Sequence, residues 1–221
     1  MIRRAVVLVS CSVLPAGCSS GDDRPEVTPP ALAAAVVAHY DGPLKAATAL
    51  VPGRDAFPYA PPGSTGTEVV LGFPDDANVH IDVLVSEKEL LSEYERSLCQ
   101  PFECVDVGAS DVEARLVWEP EAPEEDPGVL YGFADTGEHF VRVTASGPAI
   151  TEARDSPELI ALGEAVTAIL LDPAVAPRTS EDYAADGREL CAGDAWLDWY
   201  GQDNGSADPP RGYVDWCADA G

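Results

Sequence analysis

Cysteines, histidines, a run of carboxylates and a group of aromatic rings are the side chains of this sequence with chemistry to offer. Cys99, Cys104, Cys191 and Cys217 stand in the body of the chain, an even number. Four cysteines allow three pairings. The short segment Cys99-Gln-Pro-Phe-Glu-Cys104 and the closed stretch from Cys191 to Cys217 make sequential pairing the economical one, Cys99 with Cys104 and Cys191 with Cys217. In the chain-entropy picture the longer loop would contribute about 3.5 kcal/mol and the shorter about 2. A zinc site would call for Cys-x-x-Cys or histidines at ligand spacing. Neither is present, because His39, His80 and His139 lie far from the cysteines, so no metal and no cofactor is expected. His80 and His139 alternate with apolar strand residues; facing a cleft they would be general bases, and otherwise they face solvent.

Carboxylates gather at Glu119, Glu121, Glu124, Glu125 and Asp126. Such a run is a solvated loop, a weak site for a hard cation, or a docking surface for a basic partner. Inside the Cys191 to Cys217 loop, Trp196, Trp199, Tyr200, Tyr213 and Trp216 are interspersed with Asp194, Asp198 and Asp215. Flat rings beside carboxylates suit stacking on sugars or enclosing an organic cation, which makes these five rings the candidate ligand-binding residues. The same rings would also dock a short stapled segment onto a larger domain. Other chemistry lacks support. No Gly-x-Ser-x-Gly is present, Gly63 to Gly66 is not followed by the lysine of a phosphate-binding loop, and Asp203 to Asp208 lacks the acidic spacing of a calcium loop. No catalytic residue is assigned.

The elements that must position these groups are legible in part. Ala31 to Val51 is Ala-rich and broken by Asp41-Gly42-Pro43, which predicts two short helices, or one helix and an irregular segment. Pro52 to Gly66 is rich in proline and glycine and predicts a loop. Glu68 to Phe73 and Val79 to Val85 flank a turn at Pro74 to Asn78 and predict a hairpin, with Val79, Ile81, Val83 and Val85 on one face. Ser86-Glu-Lys-Glu89 is a capping-box pattern that would open a helix carrying Leu90, Leu91, Tyr94 and Leu98. Val112 to Glu119, Val129 to Asp135 and His139 to Ala145 alternate and predict a three-strand meander. Ser156 and Pro157 then cap and start a helix with Leu159, Leu162, Val166 and Leu170 inward, stopped at Asp172-Pro173. The order ββαβββα predicts an α+β domain over 31–172, an antiparallel sheet of about five strands with helices on one face. A disulfide-stapled aromatic appendage occupies 173–221.

The first residues carry an address. Arg3 and Arg4 precede an apolar run from Ala5 to Leu14 and then small residues, which is the layout of an export signal over 1–17. The run is about half the roughly 20 residues that a membrane-spanning helix needs. Leu14-Pro15-Ala16-Gly17-Cys18 resembles the signal of bacterial lipoproteins, with Pro15 where that pattern usually has Leu. A second such pattern ends at Cys11 but would leave only Ala5 to Val9 as the apolar region. The resemblance implies that Cys18 is lipidated with long acyl chains such as palmitate and becomes the mature N-terminus. Two or more chains suffice for stable anchoring, here on the outer face of the cell membrane. Together with few lysines and abundant Ala, Asp and Pro, the signal is similar to those of actinobacterial lipoproteins. Residues 18–30 then read as a tether of about 20 Å from Ser19 to Pro30. In that exported context the four remaining cysteines are expected as two disulfides.

Composition bounds the function. The 221 residues carry 39 acidic and 13 basic side chains, a formal charge of -26, with 46% hydrophobic residues. That apolar content requires a packed core, and that charge makes nucleic acid a poor partner. The expected role is a non-enzymatic binding or interaction module at the cell envelope, with an envelope protein or cell-wall glycan as partner. Two alternatives stand beside it: an envelope hydrolase using Glu124, Glu125 and neighbouring acids with His80 or His139, and a cation-stabilised structural module.

Overall fold

The computed structural model describes residues 23–50, 66–73, 78–109, 111–122, 128–151, 154–199, 209 and 213–218. Its centre is an eight-stranded mixed sheet, larger than the five-strand antiparallel sheet the sequence predicts. In chain order the strands are β1 (Ala46–Leu50), β2 (Thr67–Phe73), β3 (Val79–Ser86), β4 (Glu103–Asp106), β5 (Glu113–Glu119), β6 (Val129–Asp135), β7 (Phe140–Ser146) and β8 (Trp196–Leu197). They lie in the order β4-β5-β6-β7-β3-β2-β1-β8. Two antiparallel meanders therefore meet at the β3/β7 seam, where Val83 pairs with Val143. Among the described strands the one parallel pair is β1 with β8, Ala47 opposite Trp196.

The helices are α1 (Pro29–His39), α2 (Glu93–Ser97), α3 (Pro157–Leu171) and α4 (Glu181–Ala192). Helix α3 begins where the sequence predicts: Ser156 Oγ accepts from the Leu159 amide at 3.2 Å and Pro157 holds the first turn, where a missing N–H costs nothing. Helix α1 has Thr28 as its cap and Pro29 and Pro30 in its first turn. Most of α1 is buried, because it is sandwiched between β1 and β2 on one side and α4 on the other, so its apolar residues need not keep to one stripe. Gly187 of α4 makes that contact possible, since a Cβ there would lie 2.6 Å from the Ala31 amide nitrogen.

Alternation sorts the strands into two faces. Val69, Leu71, Val79, Ile81, Val83, Val85, Leu130, Val141 and Val143 turn toward α1 and α3 and form the main core with Leu159, Leu162, Val166 and Ile169. The opposite face carries a smaller core of Leu91, Leu98, Val117, Tyr131, Phe133 and Phe140. Leu91 and Leu98 flank α2, so this short helix sits on the second face, and the helices do not all share one side as the sequence predicts.

Further expectations are corrected, and one strand is new. Ala46–Leu50 is a strand, not a helix: the helical preference of alanine is a few tenths of a kcal/mol per residue, and a full ladder of pairs with β2 outweighs it. Ser86 does not cap a helix. It is the last residue of β3, paired with Phe140, and the capping box forms six residues later, where Ser92 Oγ accepts from the Glu95 amide and Glu95 Oε2 accepts from the Ser92 amide at 2.7 Å. The polar segment Glu103–Asp106 forms β4 because β5 offers it an edge. The last part of the expected tether lies against the chain, with the Val27 amide donating to the Pro177 carbonyl and the Thr179 amide to that of Pro25. Val175 is buried in the main core, and Ala176 beside it is buried as well.

Candidate functional site

Both predicted disulfides form, Cys99 with Cys104 and Cys191 with Cys217, each with a Cα separation of 5.4 Å. The first ties the residues just after α2 to β4, and beside it the second face of the sheet opens into a cleft of about 650 Å³. Leu91, Phe133 and Phe140 supply its apolar lining, and Glu89, Asp106, Glu113 and Asp135 supply four carboxylates. Arg115, opposite Asp106 in the ladder, has its guanidinium 5.5 Å from the centroid of the Phe133 ring. A planar cation thus already rests on the aromatic floor, the arrangement expected where a ring quadrupole meets positive charge.

Deeper on the same face lies a charged cluster that sequence reasoning missed. Arg142 of β7 is 3% exposed, and Glu68 of β2 is 2% exposed. The Arg142 Nη2 donates to Glu68 Oε1 at 2.5 Å, and its Nη1 donates to Glu95 Oε1 at 3.3 Å. Asp82 of β3 completes the group beside Glu68, with its Oδ1 sealed from solvent and without a partner. The register explains the meeting. Glu68 pairs with Leu84 and Leu84 with Arg142, so the acid and the base flank one leucine, and Asp82 is two residues along β3 on the same face. Burial and the Glu68 charge drive the Asp82 carboxyl well above the usual carboxylate range, against the pull of Arg142. Burial raises Glu68 as well. A legible trace existed in the sequence: an arginine between Val141 and Val143 in an otherwise apolar strand needs a buried partner.

The residues singled out from the sequence are placed as follows. His80 is exposed, with Nε2 3.4 Å from the Asn78 side-chain amide. The His139 ring is held by Thr136 Oγ1 at 3.1 Å and by the Val175 backbone, and burial lowers its pKa. It ties the β6–β7 hairpin to the segment after α3. Glu119 is clamped by two phenols, Tyr94 at 2.6 Å and Tyr131 at 3.0 Å, and burial together with that carboxylate raises Tyr131. Glu124, Glu125, Asp126, Tyr200 and the lipidation residue Cys18 lie outside the described residues. Trp196 is part of β8 and packs on the main core. Trp199 and Tyr213 meet edge to face at 5.9 Å, and Trp216 is 44% exposed. The candidate rings therefore divide between docking and exposure and do not line one described cleft.

A third polar group joins three helices. Asp172 caps α3 and accepts from His39 Nε2 at 2.8 Å, from Tyr183 Oη at 2.8 Å and from the Ala174 amide at 2.7 Å. Burial alone would raise Asp172, but these three donors outweigh it and hold its pKa below the usual value. Among the described residues no group of three or more His, Cys, Asp or Glu side chains is arranged to hold a metal ion, and no helix is long and apolar enough to cross a membrane.

Comparison with protein-family models, with curated proteins and with solved structures found no match to the chain.

Proposed function

We propose that this chain is an extracytoplasmic binding module, lipid-anchored at Cys18 to the outer face of a bacterial cell membrane, that receives a cationic group of an envelope partner in the cleft beside the first disulfide. The lining of that cleft carries the reading: carboxylates of Glu89, Asp106, Glu113 and Asp135 surround a floor of Leu91, Phe133 and Phe140. Apolar walls with four carboxylates set against one guanidinium, that of Arg115, suit a ligand with an apolar body and a basic head, such as a lysine or arginine side chain of a protein. A formal charge of -26 would also draw a basic partner in from a distance. The two disulfides are consistent with an oxidising compartment outside the cytoplasm.

Capture from gently solubilised membranes tests the reading with four proteins. Wild type and Glu189→Lys, a charge reversal on the exposed side of α4, should retain the same stoichiometric companion. Glu113→Lys/Asp135→Lys should lose it, and Cys18→Ser should leave the membrane fraction. A companion held equally by the cleft variant, or none in the wild type, would sink the proposal.

A second reading rests on the exposure of Trp216 and Val214 near the C-terminus, 44% and 51%. A ring presented to solvent beside Asp215 suits stacking on a cell-wall sugar. Under this reading Trp216→Ala releases the protein from cell-wall glycan with no change in thermal midpoint.

A further inference from the structure

We infer that Asp82 and Glu68 hold one proton between them, so that the second face of the sheet contains a shared acid whose ionisation loosens the β2–β3–β7 seam and the seat of α2. Glu68 pairs with Leu84 and Asp82 lies two residues along β3 on the same face, and two carboxyl groups so placed can hydrogen-bond each other only with a proton between their oxygens, because each ionised group can only accept. The charge count agrees. Glu68, Asp82 and Glu95 bring three carboxylates to the single guanidinium of Arg142, which reaches Glu68 at 2.5 Å and Glu95 at 3.3 Å. Fully ionised, the cluster would keep two negative charges uncompensated in a setting where Glu68, Glu95 and Arg142 are all at least nine-tenths buried.

On β3 itself His80 lies two residues from Asp82 on the same face, but it is exposed and turned to the Asn78 side chain, and among the described residues the packed neighbours offer no second buried cation. From β7, Thr144 faces Asp82 across the ladder with its hydroxyl sealed and unpartnered. From β6 the nearest titratable group is Tyr131, which donates to Glu119. Strand β1 contributes Thr48 and no charged residue. One proton therefore removes one of the two uncompensated charges, and the raised pKa values of Asp82 and Glu68 have the direction this requires.

Glu95 couples the pair to α2. One of its oxygens completes the capping box with the Ser92 amide and the other accepts from Arg142, so the helix is seated by the same guanidinium that serves Glu68. When Asp82 ionises, it competes for Arg142 and repels Glu95. The sign follows. A carboxyl whose folded pKa exceeds its unfolded value binds more protons when folded, so its contribution to stability is complete below the unfolded pKa and is lost as pH rises through the folded one.

Infrared spectroscopy of the folded wild type near neutral pH should show a neutral carboxyl band that Asp82→Asn removes. Glu68→Gln, which deletes the charge opposing ionisation, should move the loss of that band to lower pH. Denaturant unfolding between about pH 5 and about pH 9 should show wild type weakening with rising pH more steeply than Asp82→Asn. Glu189→Gln, with the same change in formal charge at an exposed site, should track wild type. Amide exchange in α2 should quicken over the same range in wild type alone. Absence of the neutral carboxyl band from the wild type overturns the inference even if Asp82→Asn does not fold, and so does identical pH dependence in wild type and Asp82→Asn.

Discussion

At the scale of single residues, two ion pairs of the same chemical type carry very different weight. Arg142 and Glu68 expose 4% and 3% of their side chains, whereas Arg96 and Glu89, 2.9 Å apart, expose 55% and 46%. Removing Arg142 strands buried carboxylates, so Arg142→Met should cost about 3 to 5 kcal/mol in denaturant unfolding. Arg96→Met should cost less than about 1 kcal/mol, since water already screens that pair. Asp172 makes the complementary case to Asp82. Its folded pKa is depressed, so its contribution is present above the ordinary value of 3.8 and is lost as pH falls through the lower folded value. Asp172→Asn should therefore weaken the protein at neutral pH and lose that disadvantage at the acid end of a pH–stability series. A variant uniformly weaker at all pH values would contradict the account. Asp82 did not stand out in a sequence with 39 acidic residues, and Asp172 did so only as a helix stop, because only spatial neighbours show which carboxylate gathers buried partners.

At the scale of elements, the close approach of α1 and α4 depends on one missing side chain. A Cβ at Gly187 would meet the Ala31 amide nitrogen at 2.6 Å and the Pro30 carbonyl carbon at 2.7 Å, both backbone atoms that no rotamer change can move. Gly187→Ala should thus force the helices apart and cost about 1 to 3 kcal/mol, read as a lowered thermal midpoint; an unchanged midpoint would mean that α4 is not held there. Helix α4 escaped sequence reading because its Glu181–Ala192 segment is mostly polar, although Ser180 accepts from the Tyr183 amide as an N-cap should. Helix α3 and strands β2, β3, β5, β6 and β7 were legible because a cap, a proline or a strict alternation marks each within its own span. The tail rings follow the same logic: Trp196 contributes a strand and a core contact, so Trp196→Ala should destabilise, which a purely ligand-binding ring would not do.

At the scale of the whole molecule, the two disulfides close loops of unequal size and have unequal jobs. Cys191–Cys217, with a sequence separation of 26, holds the segment after α4 that includes β8 near the sheet, whereas Cys99–Cys104, with a separation of 5, shapes one wall of the cleft. Replacing both members of the longer bridge by alanine should cost about 3.5 kcal/mol in unfolding free energy, against about 2 for the shorter. The shorter pair should also show its effect on the cleft, as lost retention of the captured companion while the protein remains folded. If the longer pair proves the cheaper to remove, β8 and its neighbours are held by packing and not by the bridge.

What the chain determined by itself is local. Caps, alternating strands, the pairing of cysteines close in sequence and the apolar run behind Arg3 and Arg4 are all written within spans of a few to a few tens of residues. Tertiary structure decided everything that needs a partner from afar. The Ala-rich β1, the polar β4 and the two-residue β8 are strands because a neighbouring edge supplies their hydrogen bonds, not because of their own propensity. Glu68, Asp82, Glu95 and Arg142 come from four separate elements, with a sequence separation of 74 from the first to the last. Their meeting is a consequence of strand register. Register depends on which face each strand buries, and that is settled only when the strands pair.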